Sequence, residues 1–569
     1  MPSGVSTAWP NDPSDILETI IADTQPPPPS PTHVLTLVPP DRFESSDAAW
    51  RALVSEVLPG YLASRRWFAR DGAPESARAA YRASLAPSRD VRAEDEYLLT
   101  EFEVDTEHGP TRYFVPLAAV WSDATPLAHQ YGMARLVAGP RQGLLTDAYT
   151  MAPFAHRMIE ALRAQRVIDI DDGTEPAQLY FLPEDGLHAV DLPENAPVRW
   201  FLGEQSNSSL GLGGQVMLKL VRRVADAVNP EAEMTRRLTR VGFTHGAALL
   251  GEVVRRRPDG TQATLAIAHR SIANEGDAWG WTEAYLKRCV AATPGEPAHD
   301  VESYASLARA MGLRLAQMHA ALAQTTDDPA FSPEPTTAAD AQAWADDIVA
   351  MLARARKALS DLPLEGAAAL ARTTLNTHGD TLDAAVRRHA RTLVGSLRTR
   401  IHGDFHLGQI LVANDDAYLI DFEGEPARSP AERRAKKTPL RDVAGLLRSF
   451  AYARAAFLPV PANPAASNTD DSNAPDALLA SRCEAVRAAF VRHADDAFLA
   501  QYRETLETSR QPWLSPDTLD AALPLAVMEK AAYEVVYEAG HRPTWLHIPL
   551  TGLIDMADRI LAADTYSPR

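Results

Sequence analysis

Asp404, Gln409, Asp421 and Glu423 fall within one stretch, IHGDFHLGQILVANDDAYLIDFEGEP, and each offers a hard oxygen atom. Such oxygens are the donors that Mg2+ takes beside phosphate groups. Between them, ILV, ANDDA and YLI read as two short strands around an Asn-Asp turn. A hairpin of that kind brings the residues before its first strand close to those after its second. Asp404 and Gln409 are therefore expected near Asp421 and Glu423.

The spacing sharpens the chemistry. Protein kinases place a catalytic Asp five residues before a magnesium-binding Asn, with a second magnesium Asp on a following DFG turn. Asp404 and Gln409 are five apart, and Asp421-Phe422-Glu423 stands where that turn belongs. Gln presents the same carbonyl oxygen as Asn on a longer arm. The pattern predicts ATP-dependent phosphoryl transfer, with Asp404 accepting the proton of an acceptor hydroxyl and Gln409 and Asp421 holding Mg2+. His402 and His406 are read as backbone braces, and Glu423 either joins the metal or braces Asp421. A site of this type needs a cation on the phosphates and a carboxylate to fix it. Lys219 in the strand VMLKLV supplies the cation, and Glu233 on the following helix is its expected partner, with Glu231 of the same NPEAEM segment competing. Gln205, Ser206, Asn207, Ser208 and Ser209 offer phosphate donors, and the strand TLAIAHRSI offers an adenine-reading edge from His269 to Ile272. No P-loop and no dinucleotide-binding glycine motif competes with this reading.

The rest of the chain must position these groups. Its 569 residues suffice for two to four lobes. A net charge of −19 argues against a nucleic-acid surface, since binding many phosphates takes an excess of Lys and Arg. Two distant cysteines, Cys289 and Cys483, predict neither a disulfide framework nor a zinc site. With no signal-peptide pattern and no apolar run of spanning length, a cytoplasmic protein without membrane contact is expected. Residues 1–45 are Pro-rich and read as a disordered tail. Residues 46–199 read as a small α+β cap domain. It opens with Trp50, Leu53, Val54, Val57 and Leu58 at helical spacing and contains a hairpin, EYLLTEFEV and RYFVPLAAVW, turning at Gly109-Pro110. Residues 200–299 alternate strand, helix and strand as a nucleotide lobe, in which GEQSNSSLGLGG is read as a loop. Residues 300–569 are mostly helical, with a Pro- and Asn-rich insert near 459–475.

HGDFHLGQ, LIDFEGEPARSPAERRAKKTPLRDVAGLLRSFAYA, EQSNSSL, NPEAE, RRWFA and YEAGHRPTWLHIPL together resemble the bacterial maltokinases, from about residue 50 onward. The resemblance implies a bilobal kinase-like α+β fold with an N-terminal cap, and transfer from ATP to maltose giving maltose 1-phosphate. It implies a link to trehalose-to-maltose isomerisation and α-glucan synthesis. It makes Asp404 the base, Gln409 and Asp421 the Mg2+ ligands, and Lys219 with Glu233 the phosphate-binding pair. The chain departs from the family at Gly540 and His541, beside the expected sugar pocket. That pocket is placed on Tyr537, Glu538, Arg542 and Trp545, where aromatic faces and charged groups suit a sugar, while Tyr533 is read as packing. A kinase for another sugar or amino sugar, such as glucosamine, is the alternative on the same fold. A nucleotide-binding pseudokinase is the third reading, opposed by the intact Lys219, Asp404, Gln409 and Asp421.

Overall fold

The computed structural model describes residues 31–38, 42–68, 72–86, 95–171, 176–202, 206–291, 303–360, 362–426, 428–457 and 474–565. The chain divides into two compact units, residues 1–236 with 247–273, and residues 237–246 with 274–569.

Among the described residues, the first unit carries fifteen strands: Val34–Leu37 (β1), Ser76–Ser84 (β2), Glu96–Thr106 (β3), Gly109–Phe114 (β4), Leu117–Val120 (β5), Gly132–Ala138 (β6), Arg141–Asp147 (β7), Val167–Asp171 (β8), Pro176–Pro183 (β9), Val198–Phe201 (β10), Ser208–Leu212 (β11), Val216–Leu220 (β12), Arg223–Val224 (β13), Leu249–Arg256 (β14) and Gln262–Arg270 (β15). One sheet runs β1-β6-β7-β5-β3-β4-β13, with β2 on β3; the other runs β10-β11-β12-β15-β14-β9-β8. Leu99, Ala118 and Phe114 of the first sheet share a buried cluster with Leu210, Leu218 and Val253 of the second.

Several boundaries differ from the sequence reading, each through pairing that local pattern does not show. β1 lies inside the expected tail: Leu35 and Leu37 are buried, and the strand runs parallel to β6 a hundred residues away. β8 and β9 extend the sheet assigned to the nucleotide lobe, so the expected break at 199/200 is not a structural one. The segment 208–212, read as loop, is a strand, and Gly213 and Gly214 at φ +55° and +65° form its tight turn into β12. The hairpin between β3 and β4 turns at Glu107 and His108, with Thr106 facing Gly109 and Pro110 inside the second strand. The expected tail residues 1–30 and the insert 459–473 lie outside the described residues.

The second unit is mainly helical. Leu307, Met311, Leu315 and Met318 form the buried stripe of Tyr304–Leu322, as their spacing predicts. This helix packs against Ala497–Thr508, Pro516–His541 packs against Ala338–Ser360 and Leu440–Phe457, and the unit also holds two small ladders. Glu334–Pro335 (β16) pairs with Leu397–Arg398 (β17), and Ile410–Ala413 (β18) pairs with Asp416–Leu419 (β19). Pro516–His541 runs one residue past Gly540 and is capped at Arg542.

Candidate active site

The β18–β19 hairpin turns on Asn414 and Asp415, both left-handed at φ +53° and +58°, the geometry a two-residue turn demands. Ile410 faces Leu419, and the Ile420 amide donates to the Gln409 carbonyl (3.0 Å). The hairpin thus brings Gln409 to Asp421, where the Gln409 Nε2 donates to Asp421 Oδ2 (3.1 Å). Asp421 stands at φ +64°, a left-handed turn that Asp tolerates better than most residues. Asp421 and Glu423 each present a carboxylate oxygen, within 4.8 Å of one another. These hard oxygens, with the Gln409 amide as a third, suit Mg2+ and not a soft metal.

Asp404 follows Gly403, whose φ of +83° turns the loop. Asp442, fully buried in Leu440–Phe457, holds this loop: its carboxylate accepts from the His402 amide (2.8 Å), the Gly403 amide (2.9 Å) and His319 Nε2 (3.1 Å). Burial pulls the Asp442 carboxyl up, and the bonds and charges of His319, His402 and Gly403 outweigh it and keep it below its usual range. Sequence reasoning assigned Asp442 no role. Its signal is a carboxylate at the head of the apolar run VAGLL, in LRDVAGLL.

His402 and His406 sit as braces. His402 is buried between Phe405 and Phe422, with its Nε2 2.9 Å from the Ile420 carbonyl. His406 caps the turn Leu407–Gln409 by accepting from the Gly408 amide. Burial pushes its imidazole below the usual range against the pull of Asp404.

Asp404 opens onto a cavity within the second unit, walled by Glu425, Arg428, Lys437, Arg441 and the helix residues Glu529, Lys530 and Tyr533. Lys530 Nζ lies 3.9 Å from Asp404 and over the Tyr533 ring. Glu425 is held below the usual carboxylate range: burial raises it, but Arg428, Lys530 and the Tyr533 hydroxyl prevail. Lys437 is pushed down to about 8 by burial and by the charges of Arg441 and Arg428. Tyr533, read from sequence as packing, lines the wall.

The expected sugar residues stand apart from that wall. Tyr537 continues the stripe of Lys530 and Tyr533 by one turn and is exposed. Arg542 lies over both the Tyr537 ring (5.6 Å) and the Trp545 ring (5.1 Å), and Trp545 stacks on Tyr452. Glu538 does not serve as an open hydroxyl partner: it is 1% exposed, and its carboxylate accepts from Tyr452 and twice from Arg542. Helix geometry turns position 538 inward when 537 faces out.

In the first unit, Lys219 Nζ pairs with Glu231 Oε2 at 2.8 Å, the acid of NPEAEM that competes with the expected Glu233. Asn229 accepts from the Glu231 and Ala232 amides and starts the helix Pro230–Arg240 so that Glu231, Met234, Thr235 and Leu238 face inward. Ser206 precedes β11. Ser208 lies within it, its buried hydroxyl accepting from Arg222 Nε (2.8 Å). His269 is buried in β15, facing Met217 and Leu249, with Nδ1 4.0 Å from Glu231; Ile272 follows the strand. Gln205 lies outside the described residues.

Residues 201–424 match the model of the phosphotransferase enzyme family. A glucosamine kinase of Mycolicibacterium smegmatis is 26% identical over 364 residues, 62% of this chain and 78% of that protein. A glucosamine kinase of Streptacidiphilus jiangxiensis is 29% identical over 376 residues, 63% and 74% of the two chains. A solved glucosamine kinase, in complex with glucosamine, ADP and inorganic phosphate, superposes with a TM-score of 0.59 at 21% identity, covering 89% of this chain and 99% of that one. The chain therefore has the aminoglycoside-phosphotransferase-like kinase fold, of α+β class. Among the described residues, no helix is long and apolar enough to cross a membrane.

Proposed function

We propose that the chain is an ATP- and Mg2+-dependent sugar kinase whose acceptor is an amino sugar. The observation that carries the phosphotransferase reading is the Asp404 loop, held by Asp442 at the edge of a cavity and joined by one hairpin to the Gln409–Asp421 pair. Asp404 orients the acceptor hydroxyl and takes its proton as the new phosphorus–oxygen bond forms and the bond from the γ-phosphorus to the departing ADP oxygen breaks. Gln409 and Asp421 would hold a magnesium ion, whose charge would offset that of the triphosphate. Lys219, fixed by Glu231, supplies the fixed cation of the nucleotide lobe.

The amino-sugar acceptor is supported by the names of the two curated relatives and by Glu425, a carboxylate kept ionised in the cavity wall and suited to a substrate ammonium. Maltose is the second reading. It is favoured by the motif resemblance and by Tyr537, one turn beyond Tyr533, with Arg542 over the Tyr537 and Trp545 rings, where a second ring would extend. Only the maltose reading carries the link to trehalose isomerisation. Transfer of labelled γ-phosphate to glucosamine, maltose and glucose, with product analysis, separates them. Glucosamine phosphate as the main product is expected, and Asp404→Asn should lower turnover about 10²–10⁴-fold. A folded Asp404→Asn at wild-type rate would remove Asp404 from the chemistry.

A further inference from the structure

The cap residues RRWFA and the segment 147–150 take no part in the mechanism above, yet they converge on one edge of the nucleotide-lobe sheet. Phe201, the last residue of β10, faces Ser209 of β11; these are the final paired residues before the connection that carries Ser206. The Tyr149 hydroxyl bonds to both carbonyls at that point, 3.2 Å from Phe201 O and 2.9 Å from Ser209 O. Trp200 Nε1 returns a bond to the Tyr149 carbonyl (2.8 Å).

Beside it lies Arg222, fully buried. Its guanidinium donates to Ser208 Oγ, approaches Phe114 O (3.3 Å) and pairs with Asp147 Oδ2 at 2.9 Å. Asp147 in turn accepts from the Tyr61 hydroxyl (2.8 Å) and the Tyr149 amide (3.0 Å). Trp67 of RRWFA covers the guanidinium at 5.3 Å, and Arg65 lies between the rings of Tyr61 and Tyr131. A buried ion pair is a poor way to gain stability, because an apolar replacement is often neutral or better. What it supplies is fixed geometry, and here the fixed atoms are those of β10 and β11.

We infer that Tyr149 and Arg222 are positioning residues that set nucleotide affinity by holding Phe201, Ser208 and Ser209, and with them Ser206, in the phosphate-binding arrangement. This rests on the nucleotide reading of the segment 206–209. It gives the cap a role in binding ATP and none in binding the sugar.

A second buried group in the same unit provides the matched control. Arg255 pairs with Glu101 at 2.9 Å, and the Tyr81 hydroxyl donates to Glu101 (2.9 Å), on β14, β3 and β2. Tyr149→Phe and Tyr81→Phe each remove one buried hydroxyl. Calorimetric titration with Mg·ATP, together with steady-state kinetics and melting temperatures, reads the difference. Tyr149→Phe should weaken Mg·ATP binding about 3- to 10-fold, the equivalent of a hydrogen bond or two, and leave the acceptor KM within about 2-fold. Tyr81→Phe should lower the melting temperature comparably and leave Mg·ATP affinity at wild type. Ser208→Ala, which removes the hydroxyl that Arg222 holds, should follow Tyr149→Phe. Wild-type affinity in both Tyr149→Phe and Ser208→Ala, or equal weakening in Tyr81→Phe, would overturn the inference alone. Wild-type protein that binds no Mg·ATP would overturn the nucleotide reading and this inference with it.

Discussion

Glu231 and Glu233 are two residues apart, about 200° around a helix, and Glu231 is seen paired with Lys219 at 2.8 Å. Asn229 fixes that phase by capping the helix at the Glu231 and Ala232 amides. The sequence shows two acids after a strand lysine and does not show the phase of the helix, which depends on Met234 and Leu238 entering the core. Hence the type of pair was legible and its identity was not. The same holds for Glu538 and Tyr533. An acid beside an aromatic suits a sugar in either orientation, and only the buried bonds to Tyr452 and Arg542 reveal that Glu538 is spoken for. The approach of Gln409 to Asp421 was readable because their spacing is local and set by one hairpin. Glu231→Gln should raise the KM for ATP about 10-fold, since it removes the charge holding a nearly buried lysine, and Glu233→Gln should raise it less. Equal effects in the two variants would show that the helix presents both acids to the nucleotide.

Elements whose cause lies in neighbouring residues were legible, and those held from afar were not. The turn Asn414-Asp415 between two apolar runs announces the β18–β19 hairpin, and the heptad-like stripe announces Tyr304–Leu322. By contrast SSLGL looks like loop, yet it forms β11 because β10 and β12 flank it and Arg222 occupies Ser208. β1 depends wholly on β6. At the turn, the left-handed backbone of Asp415 is the local condition for bringing Gln409 to Asp421. A β-branched residue there pays about 1–2 kcal/mol for that conformation, whereas glycine adopts it freely. Asp415→Val should therefore lose about that much stability in urea unfolding and weaken Mg·ATP binding, while Asp415→Gly stays close to wild type. If Asp415→Val unfolded at the wild-type midpoint, the turn would not be a constraint on the site.

Two compact units, one rich in sheet and one in helix, are large enough to melt as separate cooperative steps. Lys437 reports on the second alone. Burial and the neighbouring Arg441 and Arg428 depress its ammonium to about 8, below the ordinary lysine value of about 10.4. The sign follows from proton linkage. Between those two values the unfolded chain holds more protons than the folded one, so stability rises with pH across that window. Below about pH 8 the folded protein bears the full cost of the buried charge. Solvent at the cavity mouth screens part of it, leaving about 1–2 kcal/mol. Lys437→Met keeps the apolar stem and removes the charge. In scanning calorimetry at pH 7 it should raise the midpoint of one transition and leave the other in place. The gain should shrink as pH rises from about 8 and vanish near 10.4, whereas Tyr81→Phe should lower only the transition that Lys437→Met leaves unmoved. A gain that grew with pH would mean that Lys437 is stabilised by Glu529 and Glu425 more than it is penalised by burial, and the cavity would then be a site that holds its lysine charged.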